Sequence, residues 1–317
     1  MTAPRVVVAD PLAEGGLALL RAHLDVVEPA DTSVLREVLP QSEALIVRSR
    51  TKVTADLLAQ AENLRLVARA GIGVDNIDVS AATERGILVV NAPQGNVRST
   101  AEHTIALLFA LARRVIDADR AVREGRWKTG YEGTQLAGKR LGVVGAGKVG
   151  RQVAAMGAAL GMEVVAHDPY LNPDAWNALQ LRDVPLDTLL KTADVVTLHV
   201  PLEAETRGLI DASALASMKA GAYLINCARG GLVDEEALAQ ALNAGAIAGA
   251  ALDVFAEEPL RDSPLLSAPN VILTPHVAAS TREAQAQVST EIAEQVVDFF
   301  AGRPVLYPIN PSVLQEV

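Results

Sequence analysis

Short runs of Val, Ile and Leu alternate with amphipathic stretches from one end of the chain to the other. RVVVAD (5–10), DVVEP (25–29), ALIVRS (44–49), LRLVARA (64–70) and ILVVNAP (87–93) read as strands. Continuous apolar runs of this length suit a parallel sheet with helices on both faces. Between them, LAEGGLALLRAHL (12–24) and TADLLAQAENL (54–64) carry helical periodicity. A second series runs through KRLGVVGAG (139–147), MEVVAHDP (162–169), ADVVTLHVP (193–201), AYLINCARG (222–230), AIAGAALDVF (246–255) and NVILTPH (270–276). Such alternation implies βαβ units with right-handed crossovers, hence an α/β protein with two doubly wound parallel sheets.

Two longer helical patterns link the series. STAEHTIALLFALARRVIDADRAVREG (99–125) reads as one helix, opened by the capping box Ser99 to Glu102 and closed at Gly125. Its first four turns are almost wholly apolar, which predicts burial between domains or subunits. STREAQAQVSTEIAEQVVDFFAG (280–302) opens with Ser280 and Glu283 at the same spacing. With these helices as crossings, residues 1–97 and 283–317 form one discontinuous domain and residues 98–282 the other. A chain of 317 residues is long enough for two such cores.

Composition narrows the classes. With 50% hydrophobic and 21% charged residues, disorder and coiled coil are excluded. A net charge of −10 argues against a nucleic-acid partner. The one cysteine, Cys227, leaves no intrachain disulfide and fits a reducing compartment. The longest apolar run, 105–112, is too short for a membrane span, and MTAPRVVVAD enters a strand without a signal-peptide pattern. A cytoplasmic, soluble oligomer with no membrane partner is expected. No His, Asp and Glu cluster has metal-ligand spacing, so no metal is expected.

The sharpest local signal is Gly145-Ala146-Gly147-Lys148-Val149-Gly150, which follows the strand pattern RLGVV and opens a helix. Asp168 ends the next strand pattern. This context makes GxGxxG a dinucleotide fingerprint and the second domain Rossmann-like. Gly145 permits the turn, Gly147 lets backbone approach a pyrophosphate, and Gly150 lets helix and strand pack closely. The amides of Lys148 and Val149 lie at a helix N-terminus, which favours phosphate. Asp168 suits ribose hydroxyls and repels a 2′-phosphate, so NAD is the expected cofactor.

Arg229, Glu258 and His276 each follow a strand pattern of the second series, at the edge where open α/β sheets bind ligands. Neutral imidazole can take a hydroxyl proton, a carboxylate on its other nitrogen fixes the tautomer, and guanidinium binds a carboxylate bidentately. These types suit hydride chemistry on a 2-hydroxy acid.

Together, GAGKVG, NCARGGLVDE, ALDVFAEEP and TPHVAAST resemble the D-isomer-specific 2-hydroxyacid dehydrogenase family across essentially the whole chain. The resemblance implies that Arg229, Glu258 and His276 are catalytic. It implies cofactor contacts at His199, Val200, Pro201, Cys227, Ala228, Arg229, Asp253, His276, Ala278 and Ala279, with Asp253 facing the nicotinamide carboxamide. It also implies a substrate domain built from both chain ends and a homodimer formed through the cofactor domain. LIVRSRTKVTADLL, VARAGIGVDNID and VNAPQGNVRSTAEHT are similar to family members that oxidise D-3-phosphoglycerate to 3-phosphohydroxypyruvate, the entry to serine biosynthesis. In those, residues matching Arg48 and Arg69 bind phosphate, and the turn Gly71, Ile72, Gly73 and Val74 gives amides to the carboxylate. Asn96 lies in the matching substrate loop.

Two departures qualify the match. The animal members carry an arginine two residues after the tryptophan of the loop here reading Gly125-Arg126-Trp127-Lys128-Thr129-Gly130-Tyr131. Threonine holds that place, with Lys128 or Arg126 as possible substitutes. Many members also continue into a serine-binding regulatory domain, and the end at Val317 sets an expectation of no feedback inhibition through one. Two rival functions are an NADH-dependent glyoxylate or hydroxypyruvate reductase and an NAD(H)-sensing binding protein on the same fold.

Overall fold

A computed structural model describes residues 3–127 and 130–315. The chain divides into two compact units, Met1–Asn96 with Ser280–Val317, and Val97–Ala279. Both are built on wholly parallel sheets.

The first unit holds β1 (Arg5–Val8), β2 (Asp25–Val27), β3 (Ala44–Val47), β4 (Leu66–Arg69) and β5 (Leu88–Asn91), in the order β2-β1-β3-β4-β5. Alternate strand positions face opposite sides. Val6, Ile46, Ala68 and Val90 pack with Leu17, Leu20, Ile292 and Val296 on one face. Val7, Leu45, Val67 and Val89 pack with Leu35, Leu57 and Leu58 on the other. Covering both faces with helices is why these strands read as unbroken apolar runs. The C-terminal helix Arg282–Phe300 closes this unit against Glu14–His23, and Gly16 admits the close approach because a Cβ there would collide with the Ser289 carbonyl oxygen.

The second unit holds β6 (Arg140–Val144), β7 (Glu163–His167), β8 (Arg182–Asp183), β9 (Val195–Leu198), β10 (Tyr223–Asn226), β11 (Gly249–Leu252) and β12 (Val271–Leu273). Their order is β12-β11-β10-β9-β6-β7-β8. Chain direction across the sheet reverses between β6 and β9, the switch point at which doubly wound sheets bind ligands. Leu141, Val143, Ile225 and Ala251 pack with Leu107, Leu108 and Val153, while Val144, Val196, Leu224 and Leu252 pack with Leu189, Leu215 and Leu238.

Three local expectations fail for tertiary reasons. The pattern at 99–125 is two helices, Val97–Ala112 and Val115–Arg123. Arg114 is left-handed between them at φ 51°, and the Ala112 carbonyl accepts the Thr134 amide at 2.7 Å instead of continuing the helix. Ser99 is buried within the first of these helices and is not its cap. That helix packs on β10, β11 and the helix Lys148–Ala159 of its own unit. At the second pattern Thr281, not Ser280, caps Arg282–Phe300, with its hydroxyl accepting from the Ala284 amide at 3.1 Å. Strand β8, two exposed polar residues, left no apolar signal to read.

Candidate functional site

The carboxyl edge of the second sheet gathers the fingerprint. Gly145 leaves β6 at φ +92°, and a Cβ there would meet His199 backbone at 2.8 Å, so the turns after β6 and β9 lie against each other at the switch point. Gly147 caps the helix Lys148–Ala159 and faces open space, which is the cradle a pyrophosphate needs. A Cβ at Gly150 would collide with the Gly145 oxygen, so the helix sits directly on the turn. Asp168, just past β7, accepts the amides of Ala146 at 3.0 Å and Tyr170 at 3.1 Å, which holds a carboxylate beside the glycine turn. These residues fit a dinucleotide.

His199 follows β9, with its Nε2 3.0 Å from the hydroxyl of fully buried Thr197. Burial pushes its pKa down from 6.5 to about 3. The unfolded ring therefore takes up a proton that the folded ring refuses. Stability from this group is complete above about pH 6.5 and drains away as pH falls toward 3. Relative to His199→Asn, the wild-type chain should lose at most about 1.4 kcal/mol per pH unit below 6.5. Denaturant midpoints at pH 7, 6 and 5 test this, and parallel curves for the two proteins would refute it.

The turn after β10 carries Cys227, Ala228 and Arg229. Asn226, 1% exposed, accepts the Ala228 amide at 3.0 Å and donates to the Arg229 carbonyl at 2.9 Å. The Arg229 guanidinium donates to the Ala228 carbonyl at 2.7 Å. A Cβ at Gly230 would collide with the Phe255 oxygen, so this turn rests on the loop that leads to Glu258. Cys227 is buried, and burial pushes its thiol up to about 12, so it is packing and not a nucleophile.

Glu258 and His276 meet: Oε2 lies 2.8 Å from Nδ1. The other carboxylate oxygen accepts the Phe255 amide at 3.1 Å, and Glu235 pins the same loop through the Ala256 amide at 2.7 Å. Burial pushes the Glu258 pKa up, but the His276 hydrogen bond and charge and the Phe255 amide outweigh it and hold the group below its ordinary value. An ionised partner at Nδ1 places the imidazole proton there and leaves Nε2 to accept one.

Asp253 lies just past β11. It is fully buried. Its carboxylate accepts the Thr274 hydroxyl at 2.5 Å and the amides of Val277 and Ala278 at 2.9 and 2.8 Å, with His103 Nε2 at 3.5 Å. Ala278 is likewise buried, with its amide donated to this carboxylate. Between those anchors His276 takes a left-handed φ of 54°. Sequence reading missed Asn226, Thr274 and His103 as builders of this edge. The one available signal was a polar residue closing each apolar run: Asn226 after YLI and Asp253 after AAL.

In the first unit, the order β2-β1-β3-β4-β5 puts the switch point between β1 and β3. Arg48 follows β3, Arg69 ends β4, and Gly71–Val74 form the next turn. The Arg69 guanidinium lies over Gly71, in the space a Cβ there would fill. Asn91 at the end of β5 donates to the Ile72 carbonyl at 2.6 Å, and Ala92 donates to Gly71 at 3.0 Å. Asn96 lies beyond β5 in the same unit. Lys128 and Thr129 lie outside the described residues. Arg126 pairs with Glu124 and donates to the Tyr131 hydroxyl at 3.0 Å.

The second unit is thus a dinucleotide-binding domain of the doubly wound class, carrying an acid–base pair and an arginine turn on its carboxyl edge. The NAD binding domain model of the D-isomer specific 2-hydroxyacid dehydrogenases matches residues 105–278, and the chain belongs to that family, with NAD as its cofactor. The chain is 48% identical over 316 residues to a D-3-phosphoglycerate dehydrogenase of Archaeoglobus fulgidus, covering 98% of this chain and 60% of that protein. It therefore spans about three-fifths of such relatives. Among solved structures, the TT0316 protein of Thermus thermophilus aligns with TM-score 0.88 and 36% identity, covering 96% and 99% of the two chains. A D-lactate dehydrogenase from Aquifex aeolicus, complexed with NAD and lactic acid, aligns at 0.84 and 30%, covering 94% and 96%. Among the described residues no helix is long and apolar enough to cross a membrane, and no group of His, Cys, Asp and Glu could hold a metal.

Proposed function

We propose that this chain is an NAD-dependent dehydrogenase that oxidises D-3-phosphoglycerate to 3-phosphohydroxypyruvate. The observation that carries the reading is Arg48. It stands at the switch point of the first sheet, half-buried, with no ion pair or side-chain hydrogen bond to another described residue. A guanidinium held so is a site for an anion, and with Arg69 it suits a dianion better than the uncharged tail of a simple 2-hydroxy acid. The likeness to phosphoglycerate dehydrogenases points the same way.

In this reading Arg48 and Arg69 hold the phosphate and the 71–74 amides hold the carboxylate. Nε2 of His276, oriented through Nδ1 by Glu258, removes the C2 hydroxyl proton and keeps it as imidazolium beside the carboxylate. NAD, when bound, accepts the hydride from C2. The amides of Lys148 and Val149 would hold its pyrophosphate and Asp168 its ribose. Initial rates of NADH formation with D-3-phosphoglycerate and with D-glycerate test the substrate. A strong preference for the phosphorylated acid is expected, whereas equal rates would move the substrate to the glyoxylate and hydroxypyruvate group. Arg48→Ala should raise KM for D-3-phosphoglycerate about 10- to 100-fold, the worth of a lost charge-assisted contact. An unchanged KM would remove the phosphate assignment.

We also infer a homodimer formed through the second unit. Phe109, Val115, Ile116, Val122 and Trp127 are exposed along its two consecutive helices and the following loop, Trp127 at 69%. Such a row of apolar side chains marks a protein interface. Sedimentation should show a dimer for the wild-type chain and a monomer for Val122→Asp with Ile116→Asp; a wild-type monomer would refute it.

A further inference from the structure

The loop that carries Arg48 is held from two sides. Asp10, at the end of β1 and 3% exposed, accepts the Arg48 amide at 2.6 Å, the Thr51 amide at 3.2 Å and the Thr51 hydroxyl at 2.9 Å. On the other side, Asn76 Nδ2 donates to the Arg48 and Thr51 carbonyls at 2.7 Å each. The Asn76 carbonyl accepts the Val53 amide at 2.8 Å. Asn76 also lies two residues beyond the Gly71–Val74 turn, which the Ile77 amide closes at the Val74 carbonyl, 2.9 Å away. Both polar groups of the Arg48 peptide are thereby spent, and its side chain is the part left over.

We propose that Asp10 and Asn76 are positioning residues of the anion site. Together they fix the Arg48–Thr51 loop at the sheet's switch point and tie it to the 71–74 turn, so that the phosphate and carboxylate subsites form one rigid piece. The inference rests on reading Arg48 as the phosphate ligand. A side chain whose backbone is already immobilised loses less freedom when its ligand arrives, so the clamp acts on binding and not on proton transfer. Asp10→Ala removes the acceptor of the Arg48 amide, the Thr51 amide and the Thr51 hydroxyl. Asn76→Ala removes both donations to the carbonyls, and Thr51→Val removes one of three contacts to Asp10.

The test is the KM for D-3-phosphoglycerate at saturating NAD, with each substitution made alone and in an Arg48→Ala background. Alone, Asp10→Ala and Asn76→Ala should raise KM about tenfold, with kcat and NADH affinity held within about twofold. In the Arg48→Ala background the same changes should add less than about twofold, because they act through the side chain already removed. Equal multiplication in both backgrounds would mean general loosening and would overturn the proposal, as would a wild-type KM in both variants. If Asp10→Ala does not fold, Asn76→Ala and Thr51→Val decide on the same criterion. A wild-type KM for Arg48→Ala would overturn the phosphate assignment and this proposal with it. A raised KM for Arg48→Ala alone would overturn only the clamp.

Discussion

Replacing His276 by Ala is expected to lower kcat for the proposed D-3-phosphoglycerate oxidation by about 10³-fold, within the range a positioned general base contributes. Affinity for NADH should stay within about twofold, because the fingerprint that would hold the dinucleotide lies after β6, on a different strand's turn from this ring. The geometry behind the expectation is the 2.8 Å contact of Nδ1 with Glu258, which directs the lone pair of Nε2 outward. Glu258→Gln should lower kcat too, by less, since a neutral amide still orients the ring but no longer stabilises the imidazolium. The double variant should be no slower than His276→Ala, because the carboxylate acts through the imidazole. Single-turnover rates and NADH titrations read both quantities. Equal loss of turnover and of cofactor binding in His276→Ala would make the residue structural.

Asp253→Asn is the second large effect. The buried carboxylate accepts two amides and a hydroxyl around the His276 turn. An asparagine must point an NH₂ at one of those donors, which leaves buried groups unsatisfied at a cost of about 1–3 kcal/mol. The turn that shifts in response carries the left-handed His276, so kcat should fall about 10²-fold through misplacement of the base. The stability loss has a definite pH dependence. Burial pushes the Asp253 carboxyl up, yet the hydrogen bonds from His103, Thr274, Val277 and Ala278 outweigh it and keep it below the ordinary 3.8. On acidification the unfolded chain is protonated first. The advantage of wild type over Asp253→Asn is therefore complete above the ordinary carboxylate range and shrinks as pH falls below about 4. Urea unfolding from pH 7 down to pH 3.5 measures the gap. Wild-type turnover and stability in Asp253→Asn would sink the role given to this residue.

Much of the candidate site is legible in the sequence. The fingerprint Gly145 to Gly150 could be read because its meaning is local: a strand, a turn that only glycine fits, and a helix N-terminus follow one another in sequence. Arg48, Arg69, Arg229 and His276 could be placed at carboxyl edges because each directly follows an apolar run. Asp253 marks the limit, because a polar residue at a strand end looks the same in sequence whether its side chain turns outward or inward. Its burial, and the amides that fill it, come from a loop more than 20 residues away. Asp10 shows the same blindness, since its partners Arg48 and Thr51 stand on a different strand's loop.

The sequence by itself determined the α/β class, the two series of strands, the dinucleotide turn and the chemical types at the sheet edges. These follow from apolar period, glycine geometry and residue chemistry, all of which act over a few neighbouring residues. Tertiary structure alone decided the strand orders that set the two switch points and the break at Arg114. It also decided which polar groups became builders, such as Asp10, Asn76, Asn226 and Asp253, and which side chains, such as Arg48, kept no partner among the described residues. Those outcomes depend on hydrogen-bond partners that the fold brings from distant parts of the chain, and no local pattern encodes where such a partner will be.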